Sequence, residues 1–160
     1  MTIYEFNYHK KKGGENMNKK GFTLIELLVV IAIIGLLSTL AVVALSSART
    51  KSRDAKRLSD LKQVQTALEL YFTDNNGYPS GSSATLGSTN YKCLNSSGFG
   101  VVGCSSPYMG SVPSDPRSGT YSYTSAASTT YAITASLEGT MSGMSGTIYA
   151  TPSGISNTST

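Results

Sequence analysis

The side chains able to do chemistry are few, and one of them stands where a charge is costly. Glu26 follows Gly21-Phe22-Thr23-Leu24-Ile25, and from Leu27 through Ala48 no charged residue appears. A carboxylate at the edge of about 22 apolar positions, enough to cross a hydrocarbon core as a helix, calls for a cationic or hydrogen-bonding partner. The catalytic inventory is otherwise thin. The single histidine, His9, precedes this junction, so imidazole triads and relays are excluded from the chain beyond it. Beyond the junction the remaining acids are Asp54, Asp60, Glu69, Asp74, Asp115 and Glu138, and no pair has a spacing that specifies acid/base work. Asp54 and Asp60 read as solvated helix positions among basic neighbours. No phosphate loop or redox motif is present. A structural protein, not an enzyme, is the expectation.

The string Lys19-Lys20-Gly21-Phe22-Thr23-Leu24-Ile25-Glu26 and the apolar run after it resemble the processing site of type IV prepilins and type II secretion pseudopilins. The resemblance implies that a prepilin peptidase cuts after Gly21 and that the new N-terminal Phe22 is methylated. It also implies that Glu26 registers subunits in a filament. The implied partners are that peptidase, identical or related pilin subunits, an inner-membrane assembly platform, and membrane lipid before assembly. Many relatives carry proline at the position that is Val43 here, so any bend would fall to Gly35 or Ser38-Thr39. The rival readings are a secretory signal peptide cleaved near Ser46-Ser47-Ala48 and an ordinary membrane anchor. A lipoprotein is disfavoured because the first cysteine is Cys93.

Around this junction the chain divides into residues 1–21 as a leader, 22–48 as a membrane-spanning and filament-core helix, 49–76 as its amphipathic continuation, and 77–160 as a loop and antiparallel β region. Lys12-Gly13-Gly14-Glu15-Asn16-Met17 back-translates as a ribosome-binding sequence followed by a start codon, so translation is expected from Met17, leaving a five-residue basic leader. The formal charge of +4 belongs mostly to residues 1–21, where Lys10, Lys11, Lys12, Lys19 and Lys20 meet Glu5 and Glu15. From Phe22 onward eight basic side chains meet seven acidic ones, and the bulk-charge argument for nucleic acid fails. Lys19 and Lys20 favour a cytoplasmic N-terminus. Arg49, Lys51, Arg53, Lys56 and Arg57 load the far side with positive charge as well, so charge counting alone is ambiguous. The resemblance decides for the N-terminus inside, with the globular part then in a periplasmic or extracellular filament.

Leu58, Leu61, Val64, Leu68, Tyr71 and Phe72 recur at three and four positions, a stripe expected to pack on the domain's own sheet. Asp74-Asn75-Asn76-Gly77 and Tyr78-Pro79 end the helix, giving one element from Phe22 to about Asn75, roughly 80 Å long. Tyr121 and Tyr123, then Tyr131, Ile133, Ala135 and Leu137, alternate with small polar residues as two strands joined through Ala126–Thr129. Ile148 and Ala150 suit a third. Ser80 to Ser118 reads as a long irregular loop, and Ser153 to Thr160 as a frayed tail. The fold class is α+β, resembling a pilin.

Cys93 and Cys104, the only cysteines, read as a disulfide if the destination is oxidising and as two free thiols otherwise. Zinc is disfavoured by their spacing. Some major pseudopilins bind calcium in loops near the sheet, and Asp115 lies in a similar neighbourhood with few carboxylates beside it; no metal or cofactor is expected. Two filament classes fit, a surface type IV pilus and a secretion pseudopilus. The segment from Tyr71 to Pro79 is similar to major pseudopilins, while the cysteine pair departs from their usual pattern. A monomeric surface-binding protein using the Tyr-rich loops is the alternative.

Overall fold

A computed structural model describes residues 21–101 and 103–158. The expected leader, with Met17, Lys19 and Lys20, lies outside the described residues. The described chain divides into two compact units between Ala41 and Val42. Helix α1, Leu24–Asn75, is assigned as helical throughout. Its start is a capping box. Thr23 Oγ1 accepts from the Glu26 amide at 3.3 Å, and Glu26 Oε2 accepts from the Thr23 amide at 2.7 Å and the Thr23 hydroxyl at 2.8 Å. Its end follows the expected stop chemistry. Asn76 sits in the left-handed region at φ 53° and donates its amide to the Phe72 carbonyl at 2.8 Å.

Among the described residues of the second unit, seven strands follow: β1 Gly81–Thr85, β2 Cys93–Asn95, β3 Gly98–Gly100, β4 Ser122–Ala127, β5 Thr130–Met141, β6 Met144–Thr151 and β7 Gly154–Ser156. Five form one sheet, in the order β1-β4-β5-β6-β7, and β2 pairs with β3 separately. The central hairpin places Tyr123 opposite Ile133 and Ser122 opposite Thr134. The next turn uses Ser142 and Gly143, at φ 52° and 78°. That pair of positive φ values matches the right-handed twist of the flanking strands. Alternation decides the faces: Tyr131, Ile133, Ala135 and Leu137 are buried, as are Ile148 and Ala150 on β6. Leu61, Val64 and Leu68 of α1 pack into the same core, flanked by Leu58, Tyr71 and Phe72. The helical stripe thus covers the sheet as expected. Each such buried aliphatic contributes roughly 1.5–3 kcal/mol relative to exposure.

Two expectations are corrected. The segment from Ser80 to Ser118 is not an irregular loop. It supplies β1 as an edge strand on β4 and the β2–β3 hairpin, and it sends Leu86, Leu94 and Val112 into the core. The tail is not frayed from Ser153. It turns back as β7 on β6, and Asn157 Nδ2 donates to the carbonyls of Ser145 and Thr147 at 2.7 and 2.9 Å. Both edge strands consist of Gly, Ser, Thr, Ala and a single Ile. Their pairing rests on main-chain hydrogen bonds and leaves no alternating apolar signature.

Candidate functional site

Among the described residues of the first unit the large apolar side chains are exposed. Phe22 is 91% exposed, and the large hydrophobics that follow up to Leu40 remain between 48% and 81% exposed. A Cβ added at Gly21 would meet nothing within 4 Å. Nothing in the described chain therefore requires glycine there, and Phe22 projects beyond the capped first turn. Glu26 is held by that cap through Oε2 alone.

The second unit contains a charge cluster that the sequence reading missed. Asp54, Arg57 and Asp60, at 1%, 3% and 3% exposure, are buried, which corrects the expectation that the two aspartates are solvated. The Arg57 guanidinium forks onto Asp115, Nε to Oδ2 at 2.6 Å and Nη2 to Oδ1 at 3.1 Å. It also reaches Asp54 Oδ1 at 2.7 Å and Glu138 Oε1 at 2.9 Å. Asp54 in turn accepts the amides of Glu138 and Gly139 at 3.0 and 2.9 Å, and Asp115 Oδ1 those of Arg117 and Gly119 at 2.9 and 3.1 Å. Arg53 and Arg117 also pair with Glu138. A buried cation is tolerable only with such complete pairing. Hydrogen bonding to Arg57 holds the Asp115 carboxyl below its usual range, and Arg53, followed by Arg57, depresses Glu138 to about 2. Beside the cluster, Lys56 bonds Asp60 at 3.2 Å, and Asp60 accepts the Tyr121 hydroxyl at 3.0 Å. Burial first, then Asp60, raises the Tyr121 phenol.

This arrangement fastens α1 to β5 and to the segment around Asp115. Both carboxylate oxygens of Asp115 are engaged, by Arg57 and two amides. Among the described residues no group of three or more His, Cys, Asp or Glu is placed to hold a metal ion. The signal available in the sequence was the pairing of Asp54 with Arg57 and Lys56 with Asp60 at helical spacings.

Cys93 on β2 is buried and bonded to Cys104, with Cα atoms 6.2 Å apart. The bridge closes the segment following β3. Tyr108, just beyond it, donates its hydroxyl to Asp74 Oδ2 at 2.6 Å near the end of α1 and packs edge-on against Tyr71 at 5.8 Å.

A helix with a capped, lipid-compatible start and a second half laid on a small antiparallel sheet defines the pilin-like class. The chain belongs to the type II secretion system protein G family, whose model matches residues 44–147; a prokaryotic N-terminal methylation motif matches residues 16–42. The type II secretion system core protein G of Pectobacterium carotovorum is 41% identical over 68 residues, covering 42% of this chain and 44% of that protein. The Aeromonas hydrophila core protein G is 40% identical over 65 residues, 41% and 46% of the two chains. The type IV wide pilus major component PilA4 of Thermus thermophilus is 42% identical over 69 residues, 43% and 53%. The chain thus spans about half the length of the curated relatives it matches. No solved structure matches it significantly.

Proposed function

We propose that this protein is a structural subunit of a membrane-anchored filament of the type II secretion kind. A prepilin peptidase releases it after Gly21, Phe22 is methylated, and polymerisation proceeds through α1. The observation that carries the reading is the exposure of every large apolar side chain named between Phe22 and Leu45, at 48% or more. Such a face is stable in lipid, or against copies of itself, and nowhere else. The membrane holds the subunit, N-terminus cytoplasmic, until neighbouring helices replace lipid contact with packing. Cleavage creates an α-amino group at Phe22, and Glu26 Oε1 is left to receive it from a neighbouring subunit while Oε2 keeps the cap. One axial position then neutralises both charges, which are otherwise costly away from water. The match to a wide-pilus component supports a second reading, a surface pilus of the same construction.

The test uses a strain whose only copy of the subunit is wild type or Glu26→Gln. Wild-type protein is expected as a chain beginning at methylated Phe22 and recovered in sheared filaments visible by electron microscopy. The variant is expected cleaved and membrane-bound, with filament yield down at least about tenfold, the effect of roughly 1.4 kcal/mol. Cleaved variant assembling at wild-type levels overturns the register role and leaves Glu26 as a helix cap, a role of about 0.3–1 kcal/mol. Loss of an exported protein on deletion marks the secretion filament; loss of surface fibres alone marks the pilus.

A further inference from the structure

Five basic residues follow the apolar run, on the side where a cytoplasmic N-terminus makes positive charge unfavourable. Protein carboxylates account for three of them: Arg53 with Glu138, Lys56 with Asp60, and Arg57 with Asp54, Asp115 and Glu138. The two nearest the apolar run, Arg49 and Lys51, are exposed and have no ion pair among the described residues. Each tops an apolar floor. Arg49 lines a cleft of about 450 Å³ with Val42, Leu45, Ser46 and the Glu138-paired Arg53. Lys51 lines another of about 740 Å³ with Val42, Val43, Ser46, Thr50 and Asp54, the Asp54 oxygens being engaged by Arg57 and the Glu138 and Gly139 amides. Val42 and Leu45 are 68% and 51% exposed. In both clefts hydrocarbon-facing side chains give way within one or two turns to a hydroxyl and then a cation. Acyl chain, glycerol and phosphate of a phospholipid succeed one another in the same order over the same distance.

We infer that Arg49 and Lys51, on different faces of α1, head two clefts that each recognise an anionic phospholipid, Arg49 binding a phosphate whose acyl chains lie along Val42 and Leu45 and Lys51 binding one whose acyl chains lie along Val42 and Val43. The two clefts hold the unassembled subunit at one height in the leaflet facing its globular region. Anionic lipid offsets the unfavourable charge placement, and the complementarity is worth about fivefold in affinity per cation near a membrane surface. A zwitterionic headgroup presents no net charge to the pair. The inference rests on the membrane-spanning reading above.

The experiment reconstitutes the full chain in phosphatidylcholine vesicles containing a trace of spin-labelled phosphatidylglycerol or spin-labelled phosphatidylcholine. The motionally restricted fraction of each label then gives the lipid selectivity. Wild-type protein is expected to prefer phosphatidylglycerol about fivefold or more. The double variant Arg49→Gln/Lys51→Gln should lose most of that preference, while Lys62→Gln, an exposed lysine further along α1, keeps it. Inorganic phosphate at millimolar concentration should not displace the label; displacement would assign the site to a free anion and overturn the lipid. Equal selectivity in wild type and double variant overturns the inference as well. So does an unselective wild type whose double variant is defective in filament yield, because Arg49 and Lys51 then serve a neighbouring subunit. Protein extracted from the vesicles by alkaline carbonate would defeat the membrane-spanning reading itself, an outcome distinguishable from loss of selectivity in protein that stays inserted.

Discussion

Between Phe22 and Leu45 the helix leaves Leu28, Ile31, Leu36 and Leu40 more than half exposed, whereas between Asp54 and Leu68 it buries Asp54, Arg57 and Asp60 to 3% exposure or less. The usual assignment of apolar side chains to the interior and charged ones to the surface is inverted along one element. Each half has a physical reason. The first half is long and apolar enough to cross a membrane, and its large apolar side chains stay exposed among the described residues. The second half is covered, and its charges persist because they meet opposite charges and main-chain amides in nearly saturated geometry. Burial within a subunit is therefore a poor guide to importance here. The exposed half buries none of its large apolar side chains among the described residues, and the buried charges fasten the second half of α1 to β5.

Gly21→Val is expected to break this comparison most completely. A Cβ at Gly21 meets nothing within 4 Å, so the folded domain should tolerate valine, with unchanged thermal unfolding. A peptidase that must approach an extended backbone closely should not tolerate it. Uncleaved precursor should accumulate in the membrane, read by intact mass. Normal cleavage of the variant would show that glycine serves no recognition, and a mature chain starting at Arg49 would establish a signal peptide instead.

Arg57→Met tests the buried half. The substitution removes the cation and leaves Asp54 and Asp115 facing each other's vacancy at 1–3% exposure, a situation that costs about 3–5 kcal/mol. Urea unfolding of the detergent-solubilised chain should show it, and adding Asp115→Asn should recover part of the loss by removing one orphaned charge. A loss below about 1 kcal/mol would mean that water or rearrangement substitutes for the guanidinium and that the cluster is not what fastens α1 to β5.

Much of the fold could be read from spacing alone, because its signals repeat. The stripe from Leu58 to Phe72 and the alternation Tyr131-Ile133-Ala135-Leu137 each report a periodic face, and both faces meet in one core. The edge strands could not be read, since Gly81–Thr85 and Gly154–Ser156 are held by main-chain pairing with few side chains to announce it. Asp54 was misjudged for a different reason. Its local neighbours are basic and helical, which looks like a solvated surface. The Glu138 and Gly139 amides that bury it lie 84 and 85 positions away. At the helix start the residues Gly21, Phe22 and Glu26 were legible as a motif, whereas the reciprocal bonding of Thr23 and Glu26 is a geometric fact that shows how one carboxylate can serve the cap and still offer an oxygen outward.

The bridge between Cys93 and Cys104 sharpens the comparison at the far end of the domain. Closing a loop of about a dozen residues stabilises by roughly 3 kcal/mol in the chain-entropy model, so Cys93→Ser should lower stability by about that amount without affecting cleavage after Gly21. Peptide mapping without reductant should recover the two cysteines linked. Both thiols alkylated in freshly isolated, unreduced protein would remove the bridge from the functional molecule, and the β2–β3 hairpin would then depend on its ladder, on the main-chain bonds of Leu94 to Met109 and on the burial of Leu94 and packing of Phe99.

The smallest expected effect is graded rather than abrupt, and it separates the two halves by pH. Asp115 and Glu138 both have folded-state carboxyls depressed below their ordinary values, Glu138 from 4.5 to about 2, because guanidinium groups favour the charged forms. A depressed carboxyl binds a proton more readily in the unfolded chain than in the folded one. It therefore contributes stability that is fully present above its unfolded value and is lost as pH falls through the folded one. Thermal unfolding followed by the near-ultraviolet signal of the buried tyrosines should decline progressively from about pH 4.5 toward pH 2. Glu138→Gln should start from a lower midpoint and show a shallower decline, because one of the titrating partners has been removed while Asp115 remains. If wild type and Glu138→Gln decline in parallel, Glu138 contributes nothing through its charge, and the acid response belongs to Arg57 and Asp115. Helix content retained by the apolar half across the same range would show that the acid-sensitive part of the molecule is the half whose charges are buried.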